Sequence, residues 1–261
     1  MMKALLSFLC ITAAIGIANA QGIPLPEKNN TIVLSDTLAT LNSSKSPKVG
    51  DFIIPAVFVG YGIVSISNPT IRNLDDHIRS EIRGHHPNFR NHLDDYLQFS
   101  PAVAVYGLNI AGIKGRNKVL DASIIYGISL MLMGGSVSII KNNSDRLRPD
   151  GSDYRSFPSG HTATAFVGAE FIRQEYKDVS PWYGIAGYAV ATTTGIFRMY
   201  NNKHWFSDVV AGAGFGIIST KLTYITYPYL KRKFFHNRPL KFMLTPTYQN
   251  RSLGILFWKQ F

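Results

Sequence analysis

A single cysteine, Cys10, occurs among the 261 residues. It lies in an N-terminal apolar segment that reads as an export signal, so the mature chain has no thiol. Disulfides, thiol catalysis and a Cys-rich zinc site are excluded with it. Charge is also sparse, at 16% of residues, and acids are fewer than bases: 16 Asp and Glu against 27 Lys and Arg, a formal net charge of +11. A basic balance suits an anionic partner (nucleic acid, an acidic membrane surface or a phosphorylated substrate) and equally a protein that its charge keeps soluble. There is no low-complexity tract and no internal repeat, and aromatics are plentiful, which excludes a disordered chain. The length suits one sizeable domain. Mean hydropathy, +0.03, is high for a soluble enzyme and low for a chain built mostly of lipid-facing helices.

Lys3 followed by the apolar run Ala4 to Ile17 and then Ala18-Asn19-Ala20 fits a cleavable signal over 1–20, with Gln21 starting the mature chain; the alternative is an uncleaved anchor. Residues 21–50 are polar and read as a leader or linker. From 51 to 235 apolar blocks alternate with polar breaks, which predicts an all-α domain with helices near 52–67, 96–113, 120–140, 160–176, 182–198 and 205–224. An amphipathic helix is expected around 74–83. The tail, 236–261, holds two runs, 241–248 and 254–261, flanking Gln249 to Ser252, and a terminal hairpin packed on the helices is expected.

Three clusters carry chemistry. Lys141 and Arg148-Pro149 follow an apolar helix; an ammonium and a planar guanidinium at this spacing can converge on one dianion, or can simply complement the helix dipole. Pro158-Ser159-Gly160-His161 opens the next helix, so first-turn N–H groups face an anion with His161 beside them as a proton donor. Arg198, His204 and Asp208 follow; positions 204 and 208 share a helix face, and Asp208 can hold one imidazole nitrogen while the other faces a substrate. In an up-down bundle with short connections all three clusters fall at one end.

These residues resemble the signature of the type 2 phosphatidic acid phosphatase superfamily, which also contains bacterial class A acid phosphatases and vanadium haloperoxidases: Lys-x6-Arg-Pro, Pro-Ser-Gly-His, and Ser-Arg-x5-His-x3-Asp. The resemblance covers about 120–224 by motif and 52–224 by helix count. It implies a six-helix bundle core and a metal-independent phosphatase with no cofactor. Lys141, Arg148 and Arg198 would hold the phosphoryl oxygens, with Ser159 and the Gly160 backbone completing the binding set. His204, oriented by Asp208, would be the nucleophile and His161 the general acid. One position departs from the pattern: Phe197 stands where the family has Ser. Asp145, Arg146, Asp150, Asp153, Arg155, Lys203 and Trp205 are at most rim or substrate-selecting residues. His85-His86 and Asp94-Asp95 read as loop and cap residues rather than metal ligands.

The implied partner is a phosphorylated lipid (phosphatidate, phosphatidylglycerol phosphate, polyprenyl diphosphate or lipid A) at a membrane surface, with the site facing the periplasm. The alternatives are a soluble periplasmic acid phosphatase, a haloperoxidase and an anion-binding protein without activity. Nucleic acid explains the charge but none of the motifs. Lys114, Arg116, Lys118, Lys177 and Lys231 to Lys233 lie at the helix ends remote from the motifs, which by the positive-inside rule turns the motifs away from the cytoplasm. Oligomeric state and the number of spans stay open.

Overall fold

Asn68 caps the start of a helix: its Oδ1 accepts from the Thr70 and Ile71 amides, and Pro69 supplies a helical φ at the first position. In the computed structural model, which describes residues 48–235 and the backbone of two C-terminal strands, eight α-helices follow a short 3-10 turn. They are α1 (Ile53–Ser65), α2 (Pro69–His85), α3 (Leu93–Leu97), α4 (Ser100–Ile110), α5 (Val119–Lys141), α6 (Gly160–Tyr176), α7 (Pro181–Tyr200) and α8 (Phe206–Phe235). Strands β1 (Phe242–Gln249) and β2 (Ser252–Lys259) pair antiparallel, Gln249 opposite Ser252, as the expected hairpin. What its side chains pack on, and the signal and leader segments expected over 1–47, lie outside the described residues.

The all-α class holds. Besides α2, which starts at Pro69 ahead of the expected 74–83, two boundaries differ from the sequence reading. The helix expected over 96–113 is two helices, because Pro101 has no N–H to continue a ladder and instead occupies the first turn of α4. The last helix runs on through Pro228 to Phe235 rather than stopping near 224. Tertiary contacts hold that extension: the Tyr224 hydroxyl donates to Glu175 (2.5 Å), that of Tyr227 to Asp121 (2.5 Å), and Lys231 Nζ to Asp121 (2.7 Å).

Helix α6 is the axis of the bundle. Thirteen of its seventeen residues are buried, so it has no solvent face, and α4, α5, α7 and α8 pack around it. Its small residues, Ala163, Ala165, Gly168 and Ala169, let neighbours come close. The closest approach is to α8, where a Cβ on Gly216 would sit 2.4 Å from the Ala163 carbonyl oxygen. Backbone cannot give way there as a side-chain tip could. Gly216→Ala should therefore cost about 1–3 kcal/mol, read as a lowered unfolding midpoint in detergent; an unchanged midpoint would show that the two helices can separate freely.

The outer faces are apolar and exposed. Ile53, Ile54, Val57 and Val64 project from α1, and Leu120, Met131, Leu132 and Ile139 from α5. Val119–Lys141 and Phe206–Lys233 are long and apolar enough to cross a membrane. Val49–Ser65 with Pro69–His85, bent by 95°, would make a third if that pair counts as one span.

Candidate active site

Ser159 is the N-cap of α6. Its side chain accepts from the Thr162 amide (3.5 Å) and its hydroxyl meets that of Thr162 (2.9 Å). The hydroxyl is therefore committed to capping and fully buried, so of the expected Ser159 and Gly160 pair only the backbone is free to meet a ligand. The Ser159 amide donates to the Asp208 carbonyl (3.0 Å), which ties the start of α6 to the first turn of α8. Lys141, the last residue of α5, lies beside Gly160, and its Nζ donates to the Arg155 carbonyl (2.8 Å). The three sequence clusters thus meet at one end of the bundle.

His204 is buried at 3% exposure, just before α8. Its Nδ1 stands 3.7 Å from Asp208 Oδ2, outside hydrogen-bond range, and is without a hydrogen-bond partner among the described residues. Three other donors hold Asp208: Ser156 Oγ to Oδ2 (2.5 Å), the Trp205 amide to Oδ2 (2.9 Å) and Arg146 Nη1 to Oδ1 (2.8 Å). Burial pushes the His204 pKa down to about 4, against the pull of Asp208, so the ring is neutral over most of the pH range.

Arg146 corrects the sequence reading. It is not a rim residue but a buried one. Its guanidinium bridges Asp208 on α8 to Asp75 on α2 (2.6 Å), and also donates to Ser65 (3.0 Å) and Ser207 (2.9 Å). Asp75 in turn accepts from the Ser207 amide and hydroxyl (2.9 and 2.6 Å). Every partner of this fork is polar and buried, as a buried charge requires.

The other two cations each hold a carboxylate. Arg148 Nε donates to Asp153 (2.8 Å) and Arg198 Nη1 to the buried Asp94 (2.6 Å). Arg198 Nε is buried with no hydrogen-bond partner among the described residues. Beside it His161, on the first turn of α6, has Nε2 2.9 Å from Asp95 Oδ1. Asp94 and Asp95 therefore do more than cap α3: they reach two of the expected site residues. The ligand atoms of Asp94, Asp95 and His161 lie within 4.8 Å of one another, the one cluster among the described residues that could hold a divalent cation, but these same atoms already engage Arg198 and one another.

A cavity of about 850 Å³ opens over this end. Arg198 and His161 line it, with Asp94, Asp95, Arg83, Arg90 and Lys203; Lys141, Arg148 and His204 do not. Phe197, which replaces the expected Ser, stacks on Phe89 of the cavity wall with ring centres 6.1 Å apart. An aromatic pair thus occupies the neighbourhood where the resemblance implied a hydroxyl.

A bundle whose helix ends gather two histidines, three cations and a buried Asp is the arrangement that the PAP2 superfamily signature describes. Residues 122–232 match the family described as "PAP2 superfamily". It is 43% identical to "Lipid A 1-phosphatase" of Porphyromonas gingivalis, over 58% of this chain and 34% of that protein. It is 27% identical to "Probable diacylglycerol pyrophosphate phosphatase 1" of Schizosaccharomyces pombe, over 49% of this chain and 60% of that protein. The chain spans about a third of the first relative's length. Among solved structures, the "first transmembrane PAP2 type phosphatidylglycerolphosphate phosphatase from Bacillus subtilis" aligns with 69% of this chain and 98% of its own, at 19% identity and a TM-score of 0.46.

Proposed function

We propose that this protein is a membrane-associated lipid phosphatase that hydrolyses a phosphomonoester or diphosphate through a phosphohistidine. The observation that carries the reading is the pairing of a buried, neutral His204 with His161 at the end of the bundle where Lys141, Arg148 and Arg198 gather. The Nε2 lone pair of His204, on the ring edge remote from Asp208, attacks phosphorus. The bond to the leaving oxygen breaks, and that oxygen takes a proton from His161. Water then attacks the phosphohistidine and gives its proton to the now neutral His161; the P–N bond breaks and its electron pair returns to Nε2. The three cations and the Gly160 amide hold the equatorial oxygens, which is most of what phosphoryl transfer asks of a protein. Arg146 and Asp75 fix Asp208.

The exposed apolar faces of α1 and α5 favour a lipid environment over the soluble acid-phosphatase reading, since a soluble monomer rarely leaves such area open. The names of the two relatives point the same way. We assign the chain to a cell envelope with the site on the periplasmic side, 1–20 as its signal, 21–50 as a leader and 51–235 as the phosphatase domain. A panel of detergent-dispersed lipid phosphates, lipid A among them, assayed beside a soluble monoester in excess EDTA tests this. Release should resist EDTA and favour the lipids by about tenfold or more in kcat/KM, as remote binding energy is used in the transition state. Equal turnover of the soluble ester would replace the lipid reading with the broad acid-phosphatase one.

A further inference from the structure

We infer that Asp95 is a positioning residue for the general acid: it holds His161 through Nε2 and leaves Nδ1 to deliver the proton to the departing oxygen. The inference rests on the reading of His161 given above. It starts from geometry. Asp95 Oδ1 lies 2.9 Å from His161 Nε2, a contact between residues 66 apart in sequence, and His161 Nδ1 has no hydrogen-bond partner among the described residues. Asp95 is itself braced: Oδ2 lies 3.4 Å from His92 Nδ1, and its amide donates to the His92 carbonyl (3.2 Å). Its neighbour Asp94 is fixed by Arg198 and by Asn201 Nδ2 (3.1 Å), which pins the whole of α3 over the site. A carboxylate on one imidazole nitrogen sets the ring's tautomer and orientation and stabilises the cation that the other nitrogen must carry.

The charges around His161 make such a partner necessary. Arg198 on α7 and Asp94 and Asp95 on α3 face it, and Lys203 and Asp150 line the same cavity. Burial and Arg198 both push its pKa down, so the ring tends to lose the proton that it must donate. Asp95 opposes that loss, and its own carboxyl is held below the usual range by the His161 contact. Burial lowers the pKa of both histidines; at His204 it outweighs the pull of Asp208 and leaves the ring neutral, while at His161 Asp95 works against it and favours the proton that an acid must carry.

The test compares Asp95→Asn, Asp95→Glu and His161→Ala with wild type on an alkyl phosphate and an aryl phosphate. An alkoxide needs protonation to leave; a nitrophenolate barely does. Asp95→Asn should lower kcat on the alkyl ester by about ten- to a hundredfold and on the aryl ester by no more than about threefold, with vanadate affinity kept. The basic limb of its kcat/KM profile should move to lower pH, since the ring has lost a stabilising anion. Asp95→Glu should restore part of the loss. If His161→Ala shows the leaving-group dependence and Asp95→Asn does not, or if Asp95→Asn slows both esters alike with an unmoved limb, the positioning role is wrong. Faster turnover in Asp95→Asn would mean that Asp95 restrains His161, which also overturns it. If His161→Ala itself shows no leaving-group dependence, His161 is not the acid, and both readings fall together.

Discussion

His204→Ala should lose about 10⁴-fold or more in phosphate release, the scale seen when a covalent nucleophile is removed. The side chain is buried, and burial holds the ring neutral above about pH 4. The same change should abolish an acid-labile, alkali-stable radiolabel trapped by quenching wild type during turnover of a labelled substrate. The pH profile adds a second constraint. The nucleophile must be neutral, so kcat/KM should rise as pH passes about 4, where His204 loses its proton. The acid must be protonated, and burial and Arg198 hold the His161 pKa below its ordinary value, so the fall should begin on the acid side of neutrality. A bell in acidic solution is expected. Residual turnover in His204→Ala close to wild type, or a label that survives the substitution, would place the nucleophile elsewhere.

The second large effect concerns stability. Arg146→Ala would leave Asp75 and Asp208, exposed by 2% and 0%, facing each other's element without their cation. Removing one partner of a buried ion pair typically costs on the order of 3–5 kcal/mol, and here one guanidinium serves two carboxylates. The unfolding midpoint in detergent should drop steeply, and activity with it. Arg146→Lys keeps the charge but not the planar fork that spans Asp208, Asp75, Ser65 and Ser207, so it should recover little. Combining Arg146→Met with Asp75→Asn should cost less than the two changes summed, because the orphaned charge disappears with its partner. A variant Arg146→Ala that melts with wild type would show that the pair is dispensable.

How much of this could be read beforehand follows from how local each signal is. Lys141, Arg148, Ser159, His161, Arg198, His204 and Asp208 sit at short fixed spacings, and helix connections carry those spacings into one place. Arg146 also lies inside the first cluster, yet it looked like one loop charge among Asp145, Arg148 and Asp150. Its meaning depends on Asp75, 71 residues earlier, on a helix whose other charges are solvated. Asp94 and Asp95 were read as cap residues alone for the same reason, being 104 and 66 residues from their partners. Ser159 shows the opposite case: its motif position suggests a ligand contact, while its place at the start of α6 also gives the hydroxyl a capping role. The end of α8 was missed because Pro228 is a local stop signal, and Tyr224, Tyr227 and Lys231 override it through contacts to other helices.

The carboxylates of Asp94 and Asp153 give the resting site an occupant of its own. Arg198 and Arg148 are never bare; each meets a tethered anion at 2.6 and 2.8 Å. An arriving ion gains only the difference between itself and a carboxylate already in place. A halide or a singly charged ester offers too little to exchange, whereas a phosphate dianion, able to bridge several donors at once, offers more. In the proposed phosphate site this arrangement would favour a doubly charged group over the common anions around it, with selectivity set by a threshold in charge rather than by the shape of the opening.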